Sequence, residues 1–585
     1  MSLIPGSSEG LLKLLKREYV LLRNLFRQTY FLYIKSRLGK VIHFKRAAFA
    51  VTAYLFIMVS LFVWQFNRLN HFIYETSPIV KGQYTEGIVG PVGTINPIFY
   101  SGSGTEDVNK LVFSGLTKVE NGVQIAGDLA ESWKISDKGK TYTFRLRQNI
   151  KWHDGRPLTA DDVIFTYERI INPQTHSTYQ TYFKDVKLRK DNELTVTFML
   201  PTALSSFLPS TTVGILPKHL LNYIEPQSLS TAIYNQTPIG SGPYKIAANN
   251  LDSTSEVKLE LFEAYYGQKP YIPEITLKVY TQPGDLAPAF EYQQVDGISQ
   301  MTVDEYKRFS QNQKINLHQI KTTNYVALFY NTTKPFLNEK PVRQAIGQAI
   351  DRQEIIRNSL SGYASIVYSP IPVGFLGFSS DIKFPGLNSN QTNQLLEDAG
   401  YKRGADGIRE KNGQKMTLNL VTSNSVANKN TAQMLRSQLQ KFGIELKITP
   451  ISPATLQKEN IRAKSYDLLL YGQNLGADSD VYSYWHSSQA VENGLNLSNW
   501  NNAKVDGLLE AARLNEDDAI RIGKYQEFQK IFADEVPASI LYSPFYFYGV
   551  SRDVKVTLPT RLSVPSDRFQ NISEWYTDTA KVKKK

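Results

Sequence analysis

The sequence predicts an α/β protein, a large body placed behind an N-terminal apolar helix. Short strand patterns alternate with helical ones along most of the chain, with Pro and Gly at the joints. The block Thr141 to Ile170 writes a strand, a turn and a capped helix in sequence, and Ala47 to Phe66 runs 20 residues without a charge.

Each part of the block has a local reading. Tyr142, Phe144 and Leu146 alternate with Thr143, Arg145 and Arg147, the period of a strand with one buried face. His153-Asp154-Gly155 is a turn. Thr159 caps a helix with Asp162 three residues on and Asp161 in the positive first turn. Ala160, Val163, Ile164, Tyr167, Ile170 and Ile171 share its apolar face.

The uncharged run reads as a membrane anchor. At 1.5 Å per residue it reaches about 30 Å, the thickness of a bilayer core. Lys35, Arg37, Lys40, Lys45 and Arg46 precede it, and Arg68 is the only basic residue in the dozen that follow. The positive-inside rule then puts the N-terminus in the cytoplasm and the large body outside. The long lead and the lack of a small-residue cleavage site argue against a removed signal peptide. Within residues 9–35, Lys13, Lys16, Arg17, Arg23, Arg27 and Lys35 fall in an arc of about 120° opposite most of the leucines. This basic amphipathic segment would lie either on the inner leaflet or on a partner's cytoplasmic face.

Length and charge bound the rest. A chain of 585 residues, 42% hydrophobic and 12% aromatic, buries several cores and holds two or three domains. The net charge of +12 sits at the ends, +8 in residues 1–46 and +4 in the closing KVKKK, so residues 47–580 are formally neutral and nucleic-acid binding loses its electrostatic basis. With no cysteine there is no disulfide framework, which a protein with cores this large can do without.

The block resembles the signature region of the family 5 extracellular solute-binding proteins, the peptide-binding subunits of ABC importers. Further matches follow in that family's order: Gly93-Thr94-Ile95-Asn96-Pro97, Pro238-Ile239-Gly240-Ser241-Gly242-Pro243-Tyr244, Phe329 to Phe336, Val342 to Ile346, Ala349 to Arg352, Ser369 to Pro372 and Asp398 to Tyr401. The resemblance covers roughly residues 83–575 and implies a two-lobed fold of the periplasmic-binding-protein type (type II). Lobe I would hold residues 83–323, with an extra subdomain near 117–239, and take back 537–578. Lobe II would be 324–536, with residues 67–82 a linker and 579–585 a basic, unstructured tail. The implied function is capture of a peptide, or another small solute, by lobe closure and delivery to permease subunits, by a monomeric exterior domain. A receptor for a non-peptide solute, or a sensor or chaperone-like receptor of the same fold, is the alternative.

The resemblance also implies a site. Tyr466 to Tyr471 reads as a buried strand, and ligands of open α/β sheets bind beyond the carboxyl ends of such strands. There the family places an Asp that receives a peptide's ammonium group. Asp478 matches it, with Asp480 able to share the role, and capping of the next helix is the competing reading for Asp478. Tyr482, Tyr484 and Trp485 would be ligand walls or core, Ser101, Gly102 and Ser103 would meet ligand backbone or form an ordinary turn, and Tyr548 would line the cleft floor. Residues 463–512 contain no Arg, so no guanidinium is expected near Asp478 and selectivity for dipeptides is not expected. Enzymatic chemistry is not expected either: there is no Walker A loop, HExxH or GxSxG, and the seven His are scattered, so no metal or cofactor is foreseen.

Overall fold

The structure, a computed structural model, describes residues 8–36, 42–100, 102–204, 206–248 and 255–583; for residues 8–15, 31–36, 42–50, 67, 69–73 and 283 it describes the backbone alone. The chain forms two compact units, residues 79–578 and the two ends.

The larger unit is built on two sheets. An eight-stranded mixed sheet takes its strands from two stretches of the chain, among them Gln83–Val89, Glu274–Tyr280 and Ile315–Thr322, and, from far downstream, Tyr546–Ser551 and Arg561–Leu562. A six-stranded sheet centres on Asn324–Tyr330, flanked by Leu468–Asn474 and Ala538–Pro544. In that central strand Leu328 and Tyr330 join the core on one face, and Ala327 and Phe329 the core on the other. Burial on both faces explains why its sequence is apolar without alternation. We refer to the two bodies as lobe I and lobe II. The chain passes from one to the other at Thr323, between adjoining strands, and returns at Phe545. The connections are this short because Asn324 begins the next strand directly.

The block of the sequence analysis belongs to a four-stranded antiparallel sheet ordered Ala130–Ser136, Thr141–Leu146, Thr195–Met199, Lys187–Asn192. Tyr142, Phe144 and Leu146 are buried as their alternation requires. Helix Ala160–Ile171 opens on a capping box: Thr159 Oγ1 accepts from Asp161 N at 3.3 Å, and Asp162 Oδ2 accepts from Thr159 N at 2.9 Å. His153 is a structural clamp. Its Nδ1 accepts from Gly240 N at 3.1 Å and its Nε2 donates to Gly242 O at 3.1 Å, so the turn and the Gly240-Ser241-Gly242 loop hold each other. Burial pushes its pKa down to about 4, which keeps the ring neutral and the clamp intact. Gly240 is required there, since a Cβ would stand 1.9 Å from the Val112 carbonyl oxygen.

Beneath lobe I lies a fully buried charge cluster. Arg568 Nε donates to Glu86 Oε1 at 2.8 Å, and its Nη2 meets Asp107 Oδ2 at 2.6 Å, with all three side chains at most 3% exposed. Tyr84 and Tyr548 both donate to Glu86 Oε2.

The smaller unit contains helices Ser8–Ser36 and Ile42–Ile73 and a two-stranded antiparallel sheet, Tyr74–Pro78 with Thr579–Lys583. This corrects the expectation of an unstructured tail: Lys583 pairs opposite Tyr74, and the strand absorbs residues 579–583. Gln65 Nε2 donates to Glu18 Oε2 at 3.3 Å, so the basic helix runs back along the second helix. Among the described residues no helix is long and apolar enough to cross a membrane, which leaves the transmembrane reading without support from the fold. The side chains of residues 47–50, which open the uncharged run, lie outside that description. Leu55, Phe56, Phe62 and Trp64 within the run are exposed.

Candidate functional site

A cavity of about 1440 Å³ lies between the lobes and is walled by both. Lobe II contributes the loop that leaves strand Leu468–Asn474, including Leu475, Asp478 and Asp480. Lobe I contributes Glu106, Asn109 and Lys110 from helix Ser103–Val112, together with Asp128 and Arg147 from the subdomain side. The volume exceeds the roughly 300–1,000 Å³ usual for small-molecule sites, so an extended solute of several residues fits.

Asp478 stands where the strand's carboxyl end predicts. Its Oδ1 accepts from Asp480 N at 3.2 Å, whereas its buried Oδ2 has no hydrogen-bond partner. Burial, reinforced by the neighbouring Asp480 charge, raises its pKa to about 6. It does not cap the following helix, whose N-cap is Val481 without a side-chain cap; Asp480 Oδ1 accepts from Tyr482 N at 3.1 Å just before it. Asp480 is also the more committed carboxylate. Arg513 binds its Oδ2 at 2.7 Å, and Ser206 Oγ donates to the same oxygen at 3.1 Å from the lobe I side. This carboxylate bridges the lobes, as does Asn474, whose Nδ2 donates to Ser563 O at 2.9 Å.

The expectation of no guanidinium near Asp478 is corrected. Arg521 Nη2 lies 3.5 Å from Asp478 Oδ1, and Arg513 stacks over the Tyr482 ring at 3.8 Å while it pairs with Asp480. Both arginines fall just beyond the stretch that lacks Arg. The helix pair Ala503–Arg513 and Asp518–Glu535 folds them back against the loop. Residue spacing along the chain could not reveal this, although two Arg on consecutive helices after an Asp-rich loop were a usable signal.

The remaining expected residues divide. Tyr484 lines the cavity, its hydroxyl donating to Asn474 O at 2.5 Å. Tyr482 is held between Arg513 and His486, with ring centroids 4.0 Å apart in the latter stack, and stands behind the loop outside the lining. Trp485 is 1% exposed, packed on Phe329 and Phe532, and is a core residue. Tyr548 is likewise corrected: it is fully buried, with its hydroxyl spent on Glu86 and Tyr84, so it forms no cleft floor. Ser101 lies outside the described residues. Gly102 and Ser103 open helix Ser103–Val112 and stand outside the cavity lining, whereas Glu106, Asn109 and Lys110 of the same helix face it. The sequence reading missed these three. An amphipathic helix after the Asn96-Pro97 turn offered the only hint, and its polar face could not be told from a solvated one.

Known proteins share this fold. The description of bacterial extracellular solute-binding proteins, family 5, middle part, matches residues 124–494. The oligopeptide-binding protein AppA of Bacillus subtilis is 29% identical over 480 residues, covering 80% of this chain and 87% of its own length. The structure of AppA with a nonapeptide is similar with a TM-score of 0.69 at 26% identity, covering 86% of this chain and all of that one. NikZ from Campylobacter jejuni, in complex with Ni(L-His), is similar at a TM-score of 0.70 and 27% identity, covering 84% of this chain and 99% of its own. With a two-lobed α/β fold, a cavity between the lobes and a family match over most of its length, the chain belongs to the bacterial extracellular solute-binding proteins of family 5.

Proposed function

We propose that the protein is a membrane-anchored extracellular receptor that captures peptides between its lobes and passes them to the permease subunits of an ABC importer. One observation carries the reading: a cavity of about 1440 Å³ has walls from both lobes, and the lobes meet across it through Ser206 and Asp480. A solute touching both walls favours the closed arrangement by its differential affinity for it, and the short passages at Thr323 and Phe545 are where the lobes would turn. Asp478 would take the peptide's ammonium group on its unpartnered Oδ2, a charge-assisted contact strengthened by burial. Arg521 holds the other oxygen and fixes the carboxylate's orientation. The oligopeptide-binding and dipeptide-binding proteins among the relatives support peptides as the cargo.

The anchor rests on the sequence, on the uncharged run Ala47 to Phe66 and its basic flank, with the exposed Leu55, Phe56, Phe62 and Trp64 as its lipid-facing candidates. Mass spectrometry of small molecules released from the full chain, purified in detergent and then denatured, tests the cargo. Peptides are expected; recovery of only non-peptide solutes would overturn the assignment. Carbonate extraction of membranes tests the anchor, with the chain expected to stay in the pellet.

A further inference from the structure

The charges that wall the cavity are almost all spoken for. Lys110 pairs with Asp567 at 3.2 Å, Lys118 with Glu120 at 3.1 Å, and Arg513 with Asp480 at 2.7 Å. Arg147 donates Nε to the Asp128 carbonyl at 2.7 Å and lies by that residue's carboxylate, which Tyr266 also contacts. Of the two described glutamates in the wall without an ion pair, Glu574 is exposed and Glu106 is half-buried. Among the described residues it has no ion pair within salt-bridge distance, and its polar contact is a long one, from Asn109 Nδ2 at 3.4 Å. Asn109 is itself only 6% exposed, lines the same cavity, and has a buried Oδ1 with no hydrogen-bond partner.

An uncommitted carboxylate and an orphaned amide oxygen on adjacent turns of one helix are both acceptors. A buried acceptor without a donor is costly, by roughly 1–3 kcal/mol, so a wall of this kind is poorly suited to an apolar or anionic group and well suited to a cation rich in N–H donors. Among the described residues no group of three or more His, Cys, Asp or Glu could hold a metal ion, which favours an organic cation over a bare one. The wall belongs to lobe I, whereas Asp478 belongs to the loop of lobe II.

We infer that Glu106 and Asn109 form a second recognition point of the receptor, for a side-chain ammonium or guanidinium carried by the captured solute. This rests on the reading of the cavity as the peptide site. A peptide held by its amino terminus at Asp478 would present a basic side chain to Glu106, so the receptor selects peptides carrying Lys or Arg at one position. Burial raises the Glu106 carboxyl to about 7, so it gives the charge above that pH, and Asn109 Oδ1 accepts a further N–H, which an apolar side chain of equal length cannot supply.

Calorimetric titration of the full chain in detergent tests this with alanine pentapeptides carrying a single lysine at each successive position, each paired with the same peptide carrying norleucine. At one position the lysine peptide is expected to bind about tenfold more tightly than its norleucine twin. Glu106→Gln removes that difference while leaving the norleucine peptide's affinity within about twofold, and a thermal melt of the variant verifies that it folds. Equal binding of the twins at every position, or a lysine preference that survives Glu106→Gln, overturns the inference and leaves the peptide reading standing. Binding of no peptide at all overturns both.

Discussion

Asp478 offers the sharpest test of the proposal that this cleft receives a peptide's amino terminus. Burial and the Asp480 charge place its pKa near 6, against an ordinary value of 3.8. An ammonium group binds the ionised carboxylate, so affinity rises as pH rises through 6 and falls as the carboxyl takes up its proton. At pH 5 roughly one Asp478 in ten is ionised, and at pH 7 roughly nine in ten, so Kd for a peptide with a free amino terminus tightens about tenfold between them, or about 1.4 kcal/mol. The groups that face the carboxylate are Asp480, Arg521, Tyr525 and, from the subdomain, Tyr142, and Arg521 stays cationic throughout this range. The assay is calorimetric titration at pH 5, 6, 7 and 8 with one peptide and its N-acetylated form. The free peptide is expected to show the pH dependence and the acetylated one to bind weakly and nearly independently of pH. Asp478→Ala should weaken the free peptide by one to three orders of magnitude, the cost of leaving a desolvated ammonium unpaired, about 2–4 kcal/mol, and should affect the acetylated form far less. A flat profile for the free peptide, or equal losses for both forms in Asp478→Ala, would refute the assignment.

Other expectations follow from the same structure. Arg568→Met leaves Glu86 and Asp107 buried without their cation and should cost about 3–5 kcal/mol in urea unfolding followed by tryptophan fluorescence, since Trp575 packs on Tyr84 in the same cluster. Both carboxyls would then be raised further above their unfolded values, so the loss should be smaller at pH 5 than at pH 8, where folding must bury them ionised; a loss below 1 kcal/mol or one independent of pH would contradict this. Ser206→Ala removes the hydrogen bond that joins the lobes at Asp480 and should weaken every peptide by about fivefold, about 1 kcal/mol, whatever its side chains; unchanged affinity by calorimetry would show that closure does not use it. Thr159→Ala breaks the capping box of helix Ala160–Ile171 and should lower stability by about 1 kcal/mol in the same urea assay with peptide affinity unchanged, because the helix stands apart from the cavity.

Much of this molecule was legible as sequence because its decisive signals are local. The alternation Tyr142-Phe144-Leu146 and the Thr159 to Asp162 cap depend on neighbours within four residues, and both formed as written. The strand before Asp478 was legible too, from an unbroken apolar run that only a doubly buried strand needs. Tyr548 was misread, and Trp485 was left open between wall and core, for a shared reason. Aromatic residues at a plausible position do not announce which side of the backbone the core lies on, and in both cases the core claimed them.

The sequence by itself determined the fold class, the family resemblance, the partition of charge to the two ends, and Asp478 as the carboxylate in the cleft. Tertiary structure alone decided what surrounds that carboxylate: Arg521 and Arg513 arrive from helices more than thirty residues downstream, and Ser206 from the opposite lobe. It alone turned Glu106 and Asn109 from a polar helix face into a wall of the cavity, and paired Thr579–Lys583 with Tyr74–Pro78. The physical reason is common to all of these. Hydrogen bonds and ion pairs act over a few ångströms of space, and which residues share those few ångströms is settled by the packing of whole sheets and helices, not by their distance along the chain.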